Sequence, residues 1–356
     1  MGKRAAIAVA AAFLLAAGTA WALQVPLTTL LLARIAADRI GRDITATLPD
    51  GLHVILCGTG SPLPDPSRAG PCTLVIAGRQ QILVDAGEGS ARSLATLGVP
   101  AGGIDALFLT HFHSDHFDGL GPLLLQRWVG RAATSPLPVH GPAGVERIVQ
   151  GFNFAYTADN GYRTAHHGPK IAPPAGAGAL ARPFAVPSAP RNVLEKDGLT
   201  ITAFAVDHSP VHPAIGYRFT YKGRSLVISG DTAKSARVAT AARGADLLIH
   251  EALQPKLVAI LTNALADRGR PNTAQIMRDI LDYHSSPEDA AEVAAAAGVR
   301  ALVLTHIVPP IPARIFHKAF LGDAASRFNG PITVGTDGLM LSLPAGSTAI
   351  DVRDLS

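Results

Sequence analysis

Between Thr110 and His116 the chain reads Thr-His-Phe-His-Ser-Asp-His, three histidines and a carboxylate directly behind the apolar run Ile104-Asp105-Ala106-Leu107-Phe108-Leu109. An apolar run that ends in dense polarity predicts a buried strand delivering its last residues to a surface where chemistry is done. Residues two apart at a strand end point the same way, so His111 and His113 can hold one metal ion. Asp115 and His116, turned out of that line, can reach a second. Two such ions polarise an ester oxygen and bring water to nucleophilic strength near neutral pH, so the expected chemistry is hydrolysis. A chance cluster in a solvated loop has no reason to keep H-x-H-x-D-H spacing.

This spacing resembles the signature of the metallo-β-lactamase superfamily of binuclear hydrolases. The resemblance implies an α/β fold, a four-layer αββα sandwich of two mixed β-sheets flanked by helices, and three further ligands. Three apolar strands downstream end in suitable residues: Leu199 to Val206 at Asp207-His208, Arg224 to Ser229 at Gly230-Asp231-Thr232, and Arg300 to Leu304 at Thr305-His306. The expected first site is therefore His111, His113 and His208, the second Asp115, His116 and His306, with Asp231 bridging. His212 competes with His208, which the strand period places more firmly. These ligand types suit two divalent ions, zinc first, with manganese or iron also compatible.

Proton transfer needs further groups. The strand Leu247-Leu248-Ile249 ends in His250-Glu251-Ala252, and Tyr283-His284-Ser285 leads into a helix with Ser286 as N-cap, Pro287 in its first turn, Asp289 three residues on and Gly298 at its stop. His284 can protonate a leaving oxygen while Glu251 orients it. Ser285 is a candidate substrate contact. Asp85, closing the strand Gln81 to Val84, can hold a ligand histidine by its far ring nitrogen or cap the helix that follows. Arg68, behind the glycine loop Gly58-Thr59-Gly60-Ser61-Pro62, is a candidate clamp for a substrate anion.

Together, Gly58-Thr59-Gly60, Asp85-x-Gly87-Glu88-Gly89, the metal loop, Gly230-Asp231-Thr232, His250-Glu251-Ala252, His284-Ser285-Ser286 and Leu304-Thr305-His306 look like the RNase Z and arylsulfatase-like branch of that superfamily, over nearly all of Leu52 to Leu343. The resemblance implies that His284 and Glu251 assist the leaving group and that Asp115 takes part in proton transfer. Long-armed members of the branch carry an RNA-gripping insertion between the positions of His208 and Asp231. Here only a hairpin through Tyr221-Lys222-Gly223-Arg224 fills that interval, Leu253 stands where Thr is usual, and Ser286 stands where Thr is common. The expected substrate is thus a phosphodiester or sulfate-type ester of a small molecule or short nucleotide, and these departures count against a tRNA precursor. A carboxylic ester or lactone hydrolase and a non-catalytic metal-binding module are the alternatives.

The start of the chain sets the compartment. Met1-Gly2-Lys3-Arg4 precedes an uncharged apolar run from Ala5 to Leu23 with the small-x-small sequence Ala20-Trp21-Ala22, which reads as a secretory signal cleaved after Ala22. At roughly 17 to 25 residues for a span, the run also suits an uncleaved membrane anchor. The expected organisation is a leader over 1–23, an amphipathic linker helix over 24–50 built on Leu27, Leu30, Leu31, Ile35 and Ile40, and a hydrolase domain over 51–345. The catalytic part is expected outside the cytoplasm, periplasmic or held at the membrane, and a homodimer stays open. A net charge of +4 over 356 residues, without a Lys/Arg block, gives no electrostatic case for nucleic acid. Cys57 and Cys72 can pair in an oxidising compartment if their Cα atoms lie within about 7 Å; otherwise they are two buried thiols. The stretch from Gly168 to Arg191, rich in Pro, Ala and Gly, is expected to be a long loop, with His166 and His167 in loop-like chain before it.

Overall fold

The computed structural model describes residues 2–356, in two units that divide between Ile44 and Thr45. The first is one helix, α1 (Lys3–Arg39), long and apolar enough to cross a membrane. It runs through Pro26 and buries none of its residues. The helix continues without interruption across the leader–linker boundary expected at 23/24 and ends at Arg39.

The second unit carries two mixed sheets. The strands are β1 (Gly51–Gly58), β2 (Cys72–Ala77), β3 (Gln80–Val84), β4 (Ala106–Phe108), β5 (Leu137–Pro142), β6 (Ala179–Phe184), β7 (Arg191–Lys196), β8 (Leu199–Ala205), β9 (Ile215–Tyr221), β10 (Arg224–Ile228), β11 (Leu247–Leu253), β12 (Ala301–Val308), β13 (Ile332–Val334), β14 (Leu339–Pro344) and β15 (Asp351–Asp354). One sheet has the order β15-β14-β1-β2-β3-β4-β5-β6, the other β13-β12-β11-β10-β9-β8-β7. The helices are α2 (Ser90–Thr96), α3 (Leu120–Gly130), α4 (Val145–Ala155), α5 (Thr157–His167), α6 (Ala236–Ala241), α7 (Pro255–Asp267), α8 (Pro271–Asp279), α9 (Pro287–Ala297) and α10 (His317–Leu321).

Alternation along the strands builds the layers. Leu226, Ile228 and Ile249 join Leu52, Val54 and Val84 in the core between the sheets. Their neighbours Val227 and Leu248 face the other way, onto Val238 of α6 and Ala290, Ala294 and Ala297 of α9. On the first sheet α2 packs against β1 and α4 against β5. The result is the expected two mixed sheets flanked by helices. α9 starts at the expected cap, where Ser286 and Asp289 form a reciprocal capping box, and stops at Gly298 with φ 63°.

Three segments differ from expectation. The stretch expected as a long loop contains β6, which pairs in parallel with β5. As an edge strand it is half exposed and tolerates Pro183, so it shows no clean alternation. His166 and His167 lie in the last turn of α5, a helix that buries no residue and therefore carries no apolar stripe to reveal it. The sheet continues beyond residue 345, because β15 pairs antiparallel with β14.

Cys57 and Cys72 form a disulfide, with Cα atoms 5.0 Å apart. Cys57 is the extra residue of a bulge in β1, lying between the pairs Leu56–Thr73 and Gly58–Cys72.

Candidate metal centre

Strands β3, β4, β8, β10, β11 and β12 all run toward one rim, and each brings polar residues there at or near its carboxyl end, where α/β sheets place ligands. The turn Ser114–His116 after β4 aims the metal loop inward. Gly87 lets that turn approach, since a Cβ there would sit 2.2 Å from the Asp115 carbonyl. Asp231 follows Gly230, whose φ of +63° and close contact with the Ile215 carbonyl exclude a side chain.

The metal loop and the three later strands converge. His111, His113, His208 and Asp231 present ligand atoms within 4.8 Å of one another, as do Asp115, His116 and His306. His111 Nε2 lies 3.0 Å from His113 Nδ1, which lies 3.5 Å from His208 Nε2. Asp231 Oδ2 stands between the groups, 3.8 Å from His111 Nε2, 3.3 Å from His116 Nε2 and 3.2 Å from His306 Nε2. Asp115 Oδ2 is 3.5 Å from His116 Nε2 and 3.4 Å from His306 Nε2. His208 is buried in this cluster and His212 is exposed.

His306 does not simply end a strand. It is the additional residue of a bulge within β12, between the pairs Glu251–Thr305 and Ala252–Ile307, and has φ +49°. A bulge re-aims one side chain out of the pleat, and here it turns an imidazole toward the other ligands. Asp85 likewise has φ +58°. Left-handed backbone at two non-glycine residues of one site is strain held by its surroundings.

The far nitrogens of the ligand histidines are held from behind. Asp85 Oδ2 lies 2.8 Å from His116 Nδ1 and also accepts the Thr110 hydroxyl, while Asp85 Oδ1 accepts the Thr110 N–H. The Thr110 hydroxyl is 3.1 Å from His111 Nδ1. His208 Nδ1 lies 2.9 Å from the Tyr283 carbonyl and so donates to it. Such contacts fix tautomers and point the remaining nitrogen at a metal.

Asp115 Oδ2, His116 Nε2 and His306 Nε2 are buried without a hydrogen bond. Each such orphan costs about 1–3 kcal/mol, and an ion coordinated by them removes that cost. The donor set fits two divalent metal ions. Electrostatics agree. Burial, reinforced by His116, keeps the His111 imidazole neutral, with its pKa well below the ordinary value. Burial would lower His306 too, but Asp231 and Asp115 outweigh it and raise it to about 9. His116 is likewise raised by Asp231, Asp115 and Asp85 against its burial. Burial pushes Asp231 up, yet His306 and His116 hold it well below the carboxylate range.

Residues 80–307 match the family model of the β-lactamase superfamily domain. The Ribonuclease Z of Mycobacterium avium (strain 104) is 42% identical over 288 residues, which span 80% of this chain and 96% of that relative. The chain belongs to the metallo-β-lactamase superfamily, in its ribonuclease Z group. Among solved structures, the metallo-β-lactamase fold protein YhfI of Bacillus subtilis aligns with a TM-score of 0.60 at 22% identity, covering 83% of this chain and 100% of that one. Zn(2+)-bound PqqB of Methylobacterium extorquens aligns at 0.52 with 17% identity, covering 82% and 100%. The protein is thus a ribonuclease Z-like member of a metal-dependent hydrolase superfamily.

Beside the clusters, His284 Nδ1 lies 3.1 Å from Glu251 Oε1, and His284 groups with Asp231 and His306. Two expected substrate contacts are placed otherwise. The Arg68 side chain is 5% exposed, faces Asp65 at 3.7 Å, and donates to the Thr59 hydroxyl and, at 2.7 Å, to the Gly335 carbonyl. It ties the glycine loop to the chain after β13 and offers no clamp to solvent. Ser285 is fully buried, its hydroxyl donating to the Thr232 carbonyl at 2.7 Å and its N–H to Glu251 Oε1 at 2.9 Å. It holds Glu251 instead of a substrate. The sequence reading assigned no role to Thr110 or Tyr283. Each adjoins a singled-out histidine, which is the one signal that pointed to them.

Proposed function

We propose that the protein is a two-zinc hydrolase of phosphodiester or sulfate-type esters in a small molecule or short nucleotide, acting outside the cytoplasm. The observation that carries this is the His284–Glu251 pair, 3.1 Å apart, set beside the two ligand clusters. An ester with an alkoxide leaving group needs a proton at the departing oxygen, and an imidazole held at Nδ1 keeps Nε2 for that task. Two divalent ions, when bound, polarise the ester and make a water acidic enough to attack near neutral pH. Asp85, Thr110 and the Tyr283 carbonyl orient the ligand imidazoles. Asp115, 3.5 Å from His116 and 3.4 Å from His306, is the residue assigned here to receive a proton during attack.

The name ribonuclease Z of the mycobacterial relative favours a phosphodiester, and the Zn(2+)-bound fold neighbour favours zinc. Only β9, β10 and their connections separate His208 from Asp231, which favours a small substrate over a gripped RNA. The apolar α1 and the Cys57–Cys72 disulfide favour export, with α1 as signal or anchor. Zinc-loaded protein lacking residues 1–22 should hydrolyse a nitrophenyl phosphodiester or sulfate in preference to a matched carboxylic ester or lactone. Dominant turnover of the carboxylic ester or lactone would overturn the substrate class. Membrane fractionation with N-terminal sequencing tests the compartment, and a cytoplasmic soluble protein starting at Met1 would defeat it.

A further inference from the structure

A groove of about 800 Å³ lies beside the metal centre on the same rim, walled by Ala143, Val186, Val206, Pro213, Ala214 and Ala233. That volume lies within the usual range of ligand sites, and its walls are as apolar as theirs. Two dipeptides join it to the centre. Asp207 lines the groove while His208 stands in the ligand cluster; Asp282 lines the groove while the Tyr283 ring packs on His208, with ring centroids 4.8 Å apart. Each join is a single peptide unit, about 3.8 Å between Cα atoms, so the groove adjoins the ligand cluster along the chain.

The charges in the groove select its occupant. Arg237 is its one Lys or Arg, and it already faces Asp207 at 3.3 Å, whose other oxygen accepts the Ser235 hydroxyl at 2.6 Å. Asp282 has no ion-pair partner among the described residues. A strand carrying further phosphates would meet the uncompensated Asp282 carboxylate and, besides the already paired Arg237, only the imidazole of His212, a balance that like-charge repulsion disfavours. An uncharged aryl or alkyl group would instead cover the small apolar side chains.

We propose that this groove seats the uncharged organic substituent of the ester, an aryl or alkyl group bearing no phosphate of its own. This rests on the hydrolase function proposed for the neighbouring centre, whose substrate it narrows.

The test is calorimetric binding of phenyl phosphate and methyl phosphate to the zinc-loaded protein, with ester turnover measured in parallel. Phenyl phosphate should bind at least about tenfold more tightly, the scale of apolar discrimination by a fitted pocket. Val186→Trp, at a side chain 43% exposed and so tolerant of bulk, should fill the groove and erase that difference. Asp282→Lys should shift preference toward a nucleoside 3′,5′-bisphosphate over the 5′-monophosphate. Equal affinities in the unaltered protein, or a phenyl advantage that survives Val186→Trp, would overturn the proposal. A phenyl preference without turnover of any ester would support the groove and defeat the hydrolase function alone. Turnover without preference would defeat the groove alone.

Discussion

Glu251 Oε1 lies 3.1 Å from His284 Nδ1, and the same oxygen accepts the N–H groups of Ser285 at 2.9 Å and Thr232 at 3.2 Å. One buried carboxylate thereby ties together the end of β11, the turn that carries Asp231 and the approach to α9. It sets the position of His284 relative to the ligands without facing solvent itself.

His284→Ala should therefore act on the leaving group. Across a series of substituted phenyl esters, turnover of those with poor leaving groups should fall about 10²–10⁴-fold, the usual worth of a positioned acid, while activated nitrophenyl esters lose little. An equal loss across the series would remove the acid role of His284.

Metal uptake should release protons. In the metal-free protein burial would lower His306, but Asp231 and Asp115 outweigh it and raise it to about 9, so its imidazole is protonated at pH 7, and His116 is shifted in the same direction, whereas ligation needs both neutral. The sign follows: protonated His306 stabilises the metal-free fold fully below about 6.5, its unfolded value, and this is lost as pH rises through about 9. Zinc affinity should accordingly increase with pH over that window. Titration calorimetry in buffers of different ionisation enthalpy would read the proton release directly, and a buffer-independent heat would contradict it.

The far end of the sandwich depends on an ion cluster. Arg224, with its side chain 4% exposed, meets Asp246 at 3.1 Å and donates to the carbonyls of Pro344, Ser347 and Ala349, joining β10 to the C-terminal chain. Arg224→Ala should cost about 3 kcal/mol, because it strands a partly buried carboxylate and three carbonyls. Burial raises Asp246, but Arg224, the Ser225 N–H and Arg300 outweigh it and hold it below 3.8. Its stabilisation is thus present above pH 3.8 and is lost as pH falls through the folded value. Urea unfolding at pH 7 and pH 3 measures both effects; an unchanged midpoint in the variant at pH 7 would refute the role.

Reduction should weaken the fold. The Cys57–Cys72 bond closes a separation of 15 residues, for which the chain-entropy model predicts about 3 kcal/mol. A Cys57→Ala/Cys72→Ala double variant should lower the urea midpoint to match reduced wild type. An oxidised protein no more stable than the double variant would contradict this.

The centre was largely readable because its loop is contiguous and its remaining ligands each follow an apolar strand. His208, Asp231 and His306 are found by looking where hydrophobic runs stop. The bulge that aims His306 was not readable, since one extra residue in β12 shows only in its pairing with β11. Arg68 and Ser285 were misjudged for a related reason. Their residue types suit a substrate, but which way a donor points depends on distant partners, Gly335 for one and Thr232 for the other. β6 and α5 escaped because neither buries a regular face: the first is an edge strand and the second is buried nowhere. Between Cys57 and Cys72, spacing allowed a bond, and only the register of β1 on β2 brings the two together.

The central claim is a two-metal hydrolytic centre bridged by Asp231, and it is tested most directly by counting metal and turnover in the same samples. Wild-type protein should hold two zinc ions per chain by elemental analysis and hydrolyse bis(p-nitrophenyl) phosphate. Asp231→Ala should hold fewer than two and lose at least about 10³-fold in turnover, as groups acting as a unit do, with the far-UV circular dichroism of the fold retained. A folded Asp231→Ala protein with wild-type turnover, or a fully active wild type with a single ion, would contradict the account.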